Sequence, residues 1–142
     1  MAIDSLEKLY ASFEMLEDWE ERYRMIIEMG KRLPEFPESE KTEGNKVQGC
    51  ISQVWMVPSI IDSNPPRLEF IGDSDSHIVK GLVAILRLVY SGRSADEIRQ
   101  TDINEIFRKL DLEEHLSPNR RNGFYAMVER IKSFADQGSA VH

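Results

Sequence analysis

The segment from His77 to Val89 constrains the fold more than any other part of the chain. Its apolar residues cover most of a helical circumference: Ile78, Val79, Leu82, Val83, Ile85, Leu86, Leu88 and Val89. A helix that is apolar on nearly every side is buried, so we expect this one at the centre of the core. Gly81 in its interior costs roughly 1 kcal/mol relative to alanine, which indicates a close contact with a neighbouring element.

A β-hairpin is predicted just before this helix. Residues 47–62 include a run rich in β-branched and aromatic side chains, and the turn sequence Asp-Ser-Asn-Pro-Pro occupies 62–66. Residues 67–71 alternate apolar and charged side chains, which is typical of a half-buried second strand. Pro58 predicts an edge position or a bulge, because proline cannot donate to the ladder.

Helices are predicted on both sides of this hairpin. Amphipathic helices begin at Ser5 and at Asp18. Later, capping signals open two short helices at Ser94 and Asp102, and Ser117 opens a last helix that ends at about Phe134. The pattern predicts one α+β domain, a small antiparallel sheet covered by helices, with its core at about residues 5–135 and a flexible tail at 136–142.

Composition narrows the class of protein. The 142 residues are 41% hydrophobic, enough for a core without disulfides. A net charge of −7 disfavours nucleic-acid binding. The N-terminus lacks the apolar stretch of a signal peptide, and no apolar run approaches the ~20 residues that span a bilayer. We therefore expect a cytoplasmic protein that binds neither nucleic acid nor membrane.

Candidate chemistry centres on one thiol. Cys50 is the single cysteine, and the three histidines, at 77, 115 and 142, lack metal-ligand spacing, so we expect no metal site. Gly49 permits a tight turn, and a strand behind the loop would fix the direction of the sulfur. This suits a presented nucleophile, although a lone cysteine is more often a small buried hydrophobe. An ordinary thiol, with a pKa of about 8.5, would need activation by the fold or by a partner.

The residues around this thiol resemble a known signature. The run Lys-Val-Gln-Gly-Cys-Ile-Ser-Gln-Val-Trp at 46–55 is similar to the cysteine-bearing signature of the SufE family of sulfur acceptors. Residues 22–34, 72–82 and 116–123 look like further landmarks of that family. Two positions depart from it: Gln48 stands where the family often has proline, and Ile51 where it often has a polar residue. The resemblance implies a SufE-like fold, which is similar to that of the IscU scaffolds.

It also implies a function in sulfur transfer. Cys50 would accept sulfur from the persulfide of a SufS-type cysteine desulfurase, which uses pyridoxal phosphate, and pass it to a SufB-type iron–sulfur scaffold. The chain would stimulate the desulfurase as an accessory protein, without its own small-molecule substrate or cofactor. Such transfer resembles thiol–disulfide exchange and needs one thiol. Val47, Ile51 and Trp55 are predicted to shelter the sulfur, and burial would keep the thiol protonated until a partner docks.

Five further residues are candidates for supporting the thiol or facing the partner: Arg120, Gly49, Gln53, Asp73 and Asp75. The resemblance implies that Arg120 lies beside the thiol loop or on the partner-facing surface, whereas its pattern alone indicates a solvated cation at a helix start. The two aspartates are first of all cap and turn residues, and secondly candidates for contact with the cysteine loop or the partner.

Three other functions are compatible with parts of the sequence. A cysteine hydrolase would need a base beside Cys50, and His77 is a poor candidate because a helix N-terminus disfavours the imidazolium. An iron–sulfur scaffold of the IscU type would need further cysteines. A pure interaction module would keep its effect on a desulfurase after Cys50→Ser. The resemblance fits both SufE and its close relative CsdE.

Overall fold

The computed structural model describes residues 4–141. Within that range six α-helices and three strands follow one another, with two short 3₁₀ turns, Glu38–Glu40 and Glu43–Asn45, before the first strand. In chain order the elements are α1 Leu6–Met15, α2 Trp19–Lys31, β1 Val54–Ile61, β2 Arg67–Ser74, α3 His77–Tyr90, β3 Arg93–Ser94, α4 Ala95–Gln100, α5 Ile103–Lys109 and α6 Pro118–Val141. The predicted α+β class is confirmed.

The sheet is antiparallel in the order β1-β2-β3. β1 and β2 form the predicted hairpin, in register from Val54 opposite Ser74 to Ile61 opposite Arg67. β1 is an edge strand, one of the two positions predicted for Pro58. β3 was not predicted, because two residues are too few to show a periodicity. β1 matches the β-rich residues at 54–61, and residues 46–53 before it form a loop.

α3 is the buried central helix that the sequence predicted. Leu82, Ile85 and Leu86 on it are fully buried. Gly81 lies directly on the backbone of Ile26 in α2, and a Cβ at this position would overlap the Ile26 carbonyl group. A Cβ at Gly30 in α2 would lie 2.7 Å from the Gly81 nitrogen. The two helices therefore cross where neither carries a side chain, which explains the glycine in α3.

The later helices begin at the predicted caps. Ser94 and Glu97 form a capping box at α4, and the Ser117 hydroxyl accepts a hydrogen bond from the Arg120 N–H at α6. α6 passes the predicted end near Phe134 and continues to Val141. The predicted tail is thus helical over 136–141, and His142 lies outside the described residues. Of the helices described, none combines the length and apolar content that a bilayer crossing requires.

Candidate functional site: the thiol loop

Residues 46–53, here called the thiol loop, connect the second 3₁₀ turn to β1. The loop is closed at its base, where the Val47 N–H donates to the Val54 carbonyl at 2.8 Å and Lys46 forms an isolated bridge with Trp55. At its tip Gly49 has a φ of +89°, in the left-handed region that favours glycine. This tight turn points the side chain of Cys50 back toward the body of the protein.

The thiol rests on the backbone of α6. Cys50 Sγ lies 3.7 Å from the carbonyl oxygen of Gly123, within reach for the thiol to donate to it. A Cβ at Gly123 would lie 3.5 Å from the same sulfur, so the missing side chain leaves space beside it. Gly123 belongs to a sequence block that resembles the family, but its role as the neighbour of the thiol was not predicted. A glycine inside a helical pattern was the signal for it.

A cavity of about 340 Å³ opens beside the sulfur. Its apolar wall comes from β1, α3 and α6, through Val54, Val79, Leu82, Phe124 and Met127. Its polar rim includes Ser117, Asn119 and Arg120. The predicted shelter is corrected in part: Val47 and Trp55 do not line this cavity, because Val47 is buried in the core and Trp55 lies beyond the loop base. Ile51 lines the rim but is 77% exposed.

Burial raises the pKa of the Cys50 thiol. In the free protein the sulfur is therefore a protonated, half-buried thiol at neutral pH. Arg120 lines the same cavity from the start of α6 and is exposed. The structure thus places Cys50 and Arg120 at one site, 70 residues apart in sequence.

Asp75 and Gln53 connect the end of the thiol loop to the segment before α3. The Gln53 N–H donates to the Asp75 carboxylate at 3.1 Å, and the Asp75 N–H donates to the Gln53 carbonyl at 3.2 Å. These two hydrogen bonds fix the last residue of the thiol loop to the segment before α3, just where β1 begins. Asp75 therefore contacts the thiol loop through its base, and neither residue lines the cavity.

Asp73 lies in a separate ionic cluster. Its carboxylate accepts from the Ser74 N–H at 2.8 Å and pairs with Lys41 at 3.2 Å and Lys80 at 3.5 Å. Partial burial opposes ionisation, but the Ser74 hydrogen bond and the two lysines outweigh it and lower the pKa of Asp73. The Lys41 ammonium also lies 5.3 Å from the centre of the Trp55 ring. Asp73 thus stabilises the base of β1 and does not reach the cavity.

The two histidines in the described part of the chain, His77 and His115, do not line the thiol cavity. His77 is exposed at the start of α3 and does not line the cavity. His115 stacks on Trp19, with ring centres 3.9 Å apart. Within residues 4–141 no three His, Cys, Asp or Glu side chains cluster in a way that could hold a metal ion.

Arg130 on α6 adds a support that sequence patterns do not reveal. Its guanidinium donates to the Gly44 carbonyl at 2.7 Å and so ties the segment before the thiol loop to α6. α6 therefore contacts both the thiol, through Gly123, and the segment that precedes the thiol loop, through Arg130.

Fold and site together define a class of protein: a small α+β domain that presents one sheltered thiol on a glycine-tipped loop. Comparison with known sequences places the chain within that class. The family model described as "SufE: Fe-S metabolism associated domain" matches residues 7–135. The chain belongs to the SufE family, which is associated with iron–sulfur metabolism.

Related sequences agree with this assignment, and a solved structure shares the fold. An uncharacterized SufE-like protein of Rhizobium meliloti (strain 1021) is 51% identical over 133 residues, which are 93% of this chain and 95% of the relative. One of Rhizobium etli is 51% identical over 132 residues, 92% of this chain and 89% of the relative. The solution structure of a hypothetical protein from Thermus thermophilus matches with a TM-score of 0.75, at 19% identity and full coverage of both chains. Because the identity is only 19%, this likeness is evidence for the fold alone.

Proposed function

We propose that this chain is a sulfur acceptor for a SufS-type cysteine desulfurase and that Cys50 carries the sulfur. Membership of a family associated with iron–sulfur metabolism supports the general role. The observation that most directly supports the transfer step is the position of the thiol. The single cysteine lies at a loop tip, half-buried beside a cavity, where a small movement of the loop would bring it to another protein.

The chemical step requires only one thiolate from this chain. The Cys50 thiolate attacks the terminal sulfur of the desulfurase persulfide, and a new S–S bond forms at Cys50 Sγ. The S–S bond of the donor breaks, and the donor cysteine leaves as a thiolate. The proton of Cys50 passes to solvent, and the exchange involves no net oxidation. A second cysteine close to Cys50 would release the bound sulfur by the same attack, so a lone thiol suits a carrier.

Delivery repeats this step with the roles changed. A thiolate of a SufB-type iron–sulfur scaffold attacks the outer sulfur, and Cys50 leaves as the thiolate. Between the two steps the cavity keeps the persulfide out of bulk water, where small thiols and oxidants would consume it. The apolar wall formed by Val79, Phe124 and Met127 supports this protective role.

Docking is the step that activates the thiol. Its raised pKa disfavours the thiolate while the sulfur lies on α6. When a desulfurase draws the loop outward, the sulfur loses this apolar surrounding and its pKa falls toward the ordinary value. Arg120, exposed on the cavity rim, is positioned to stabilise the resulting anion or to contact the partner.

The protein in this proposal is a cytoplasmic accessory of the desulfurase and has no small-molecule substrate of its own. Pyridoxal phosphate belongs to the partner enzyme. In this role the chain would bind no cofactor, metal, nucleic acid or membrane.

Incubation with a SufS-type desulfurase, cysteine and pyridoxal phosphate tests the proposal. Mass spectrometry should find one added sulfur atom on the peptide that contains Cys50, removable by a thiol reductant, together with faster desulfurase turnover. The Cys50→Ser variant should gain no sulfur and give no stimulation. Full stimulation by the serine variant would instead identify an interaction module, and a wild-type peptide without added sulfur would refute the proposal.

A further inference from the structure

Neighbouring side chains of the thiol loop differ in burial. Cys50 turns inward onto Gly123, whereas Ile51 is 77% exposed. The other exposed residues of the loop are Gln48, Gly49 and Gln53, so Ile51 is its one large apolar side chain in water. A single exposed aliphatic residue is common on protein surfaces and by itself needs no explanation.

The position of Ile51 next to the reacting atom is what makes it informative. Sulfur can pass to Cys50 only if the donor sulfur comes within bonding distance, about 2 Å, of Cys50 Sγ. The Cα atoms of adjacent residues are about 3.8 Å apart. A protein that reaches the thiol therefore comes close to Ile51, which lines the rim of the same cavity. Contact with a donor there would remove the exposed surface of Ile51 from water.

We infer that Ile51 is the apolar anchor of the interface with the sulfur donor, and that the donor carries an apolar recess beside its persulfide to receive it. The inference rests on the proposed function and adds the chemistry of the partner surface. Polar groups surround Ile51 on the loop, and Arg120 and Asn119 lie on the cavity rim. An apolar centre within a polar border is the usual arrangement of a protein–protein interface.

A competing role for Ile51 makes a different prediction. If the loop turned so that Cys50 moved out, Ile51 could move into the cavity of about 340 Å³ and fill it. Ile51 would then change the equilibrium between the inward and outward positions of Cys50 in the free protein, and with it the turnover at saturation. The affinity for the donor would change little. The two roles therefore differ in the quantity that a polar substitution changes.

The test is a titration of a SufS-type desulfurase with wild type, Ile51→Gln and Ile51→Leu, read as sulfur on Cys50 and as turnover. For Ile51→Gln we expect the half-saturating concentration to rise about tenfold or more, since a buried aliphatic contact is lost. Turnover at saturation and the alkylation rate of Cys50 in the free protein should stay within about twofold. Ile51→Leu should behave nearly as wild type.

Ile61→Gln is the matched control. Ile61 is also exposed, at 41%, and it lies at the end of β1 far from the thiol loop, on a strand about 23 Å long at 3.3 Å per residue. This variant should leave the half-saturating concentration unchanged. An equal rise in both glutamine variants would overturn the inference, because the effect would then not be specific to the loop.

The remaining outcomes separate this inference from the proposed function. If wild type loads sulfur and Ile51→Gln loads it at the same half-saturating concentration, the anchor is wrong and the sulfur-acceptor function stands. A changed alkylation rate in the free variant, with unchanged half-saturation, would assign Ile51 to the cavity and likewise overturn the anchor. If wild-type Cys50 gains no sulfur, the proposed function fails and the anchor fails with it.

Discussion

Gly81 and Gly123 each face another segment of the chain without a side chain, but at different distances. At Gly81 the backbone of Ile26 is so close that a Cβ would overlap it. At Gly123 a Cβ would lie 3.5 Å from Cys50 Sγ, which is an ordinary van der Waals separation. The first glycine is required for the packing of α2 on α3. The second leaves space beside a reactive sulfur, so the two glycines should respond in opposite ways to the same substitution.

Gly81→Ala should have the largest effect on stability. The added methyl group meets backbone, which cannot move aside easily, and overpacking of a core costs up to about 3 kcal/mol. The better helix propensity of alanine returns about 1 kcal/mol. We expect the free energy of unfolding to fall by about 2 kcal/mol, measured by urea denaturation at unchanged m value. Gly44→Ala is the control, because its Cβ would meet only the Thr42 hydroxyl oxygen, at an ordinary 3.9 Å, and it should shift stability by less than about 0.5 kcal/mol. Equal stabilities of the two variants would contradict the close crossing.

Gly123→Ala should separate stability from function. The methyl group fits, so the free energy of unfolding should rise by about 0.5–1 kcal/mol through helix propensity. The same methyl group occupies space that an outer sulfur on Cys50 would use. Sulfur loading of Cys50 by a desulfurase should therefore slow several-fold, measured by mass spectrometry over time. Loading at the wild-type rate would show that the space beside Gly123 has no part in transfer.

The smallest expected effect is a shift in pH dependence at the sheltered thiol. Because burial raises the pKa of Cys50, its alkylation rate in the folded protein should rise at higher pH than in urea-unfolded chain. Folding stability changes with pH for the same reason. Below the pKa of the unfolded thiol, the protonated Cys50 contributes its full stability to the folded protein. This contribution is lost as the pH rises through the higher pKa of the folded thiol. Cys50→Ser should lack this loss. Addition of a desulfurase should move the alkylation profile toward lower pH, and an unmoved profile would remove docking as the activating step.

Local patterns sufficed for much of the fold. The period of α3, the turn sequence after β1 and the cap at Ser94 each depend on residues close in sequence, and the structure confirms all three. β3 was missed because it consists of Arg93 and Ser94 alone and exists only by pairing with β2. The end of α6 was placed too early, since small residues from Gly138 weaken a helical pattern without ending the helix.

Local sequence patterns predicted less of the functional site than of the fold. Cys50 and its loop stand out in the sequence, and the resemblance pointed to Arg120. The contact that positions the sulfur joins Cys50 to Gly123, 73 residues later, and the cavity wall comes from three separate elements. Val47 and Trp55 are apolar and near Cys50 in sequence, but nearness along a chain does not specify direction, and neither lines the cavity.

Sequence alone determined that this chain has one thiol, a glycine before it, and a buried helix preceded by a hairpin, because each of these depends on residue type and short-range spacing. Tertiary structure decided which way the thiol points, that it rests on a helix backbone, and that burial raises its pKa. These properties depend on distances between segments far apart in the chain, and such distances are set only when α3 and α6 pack against the sheet.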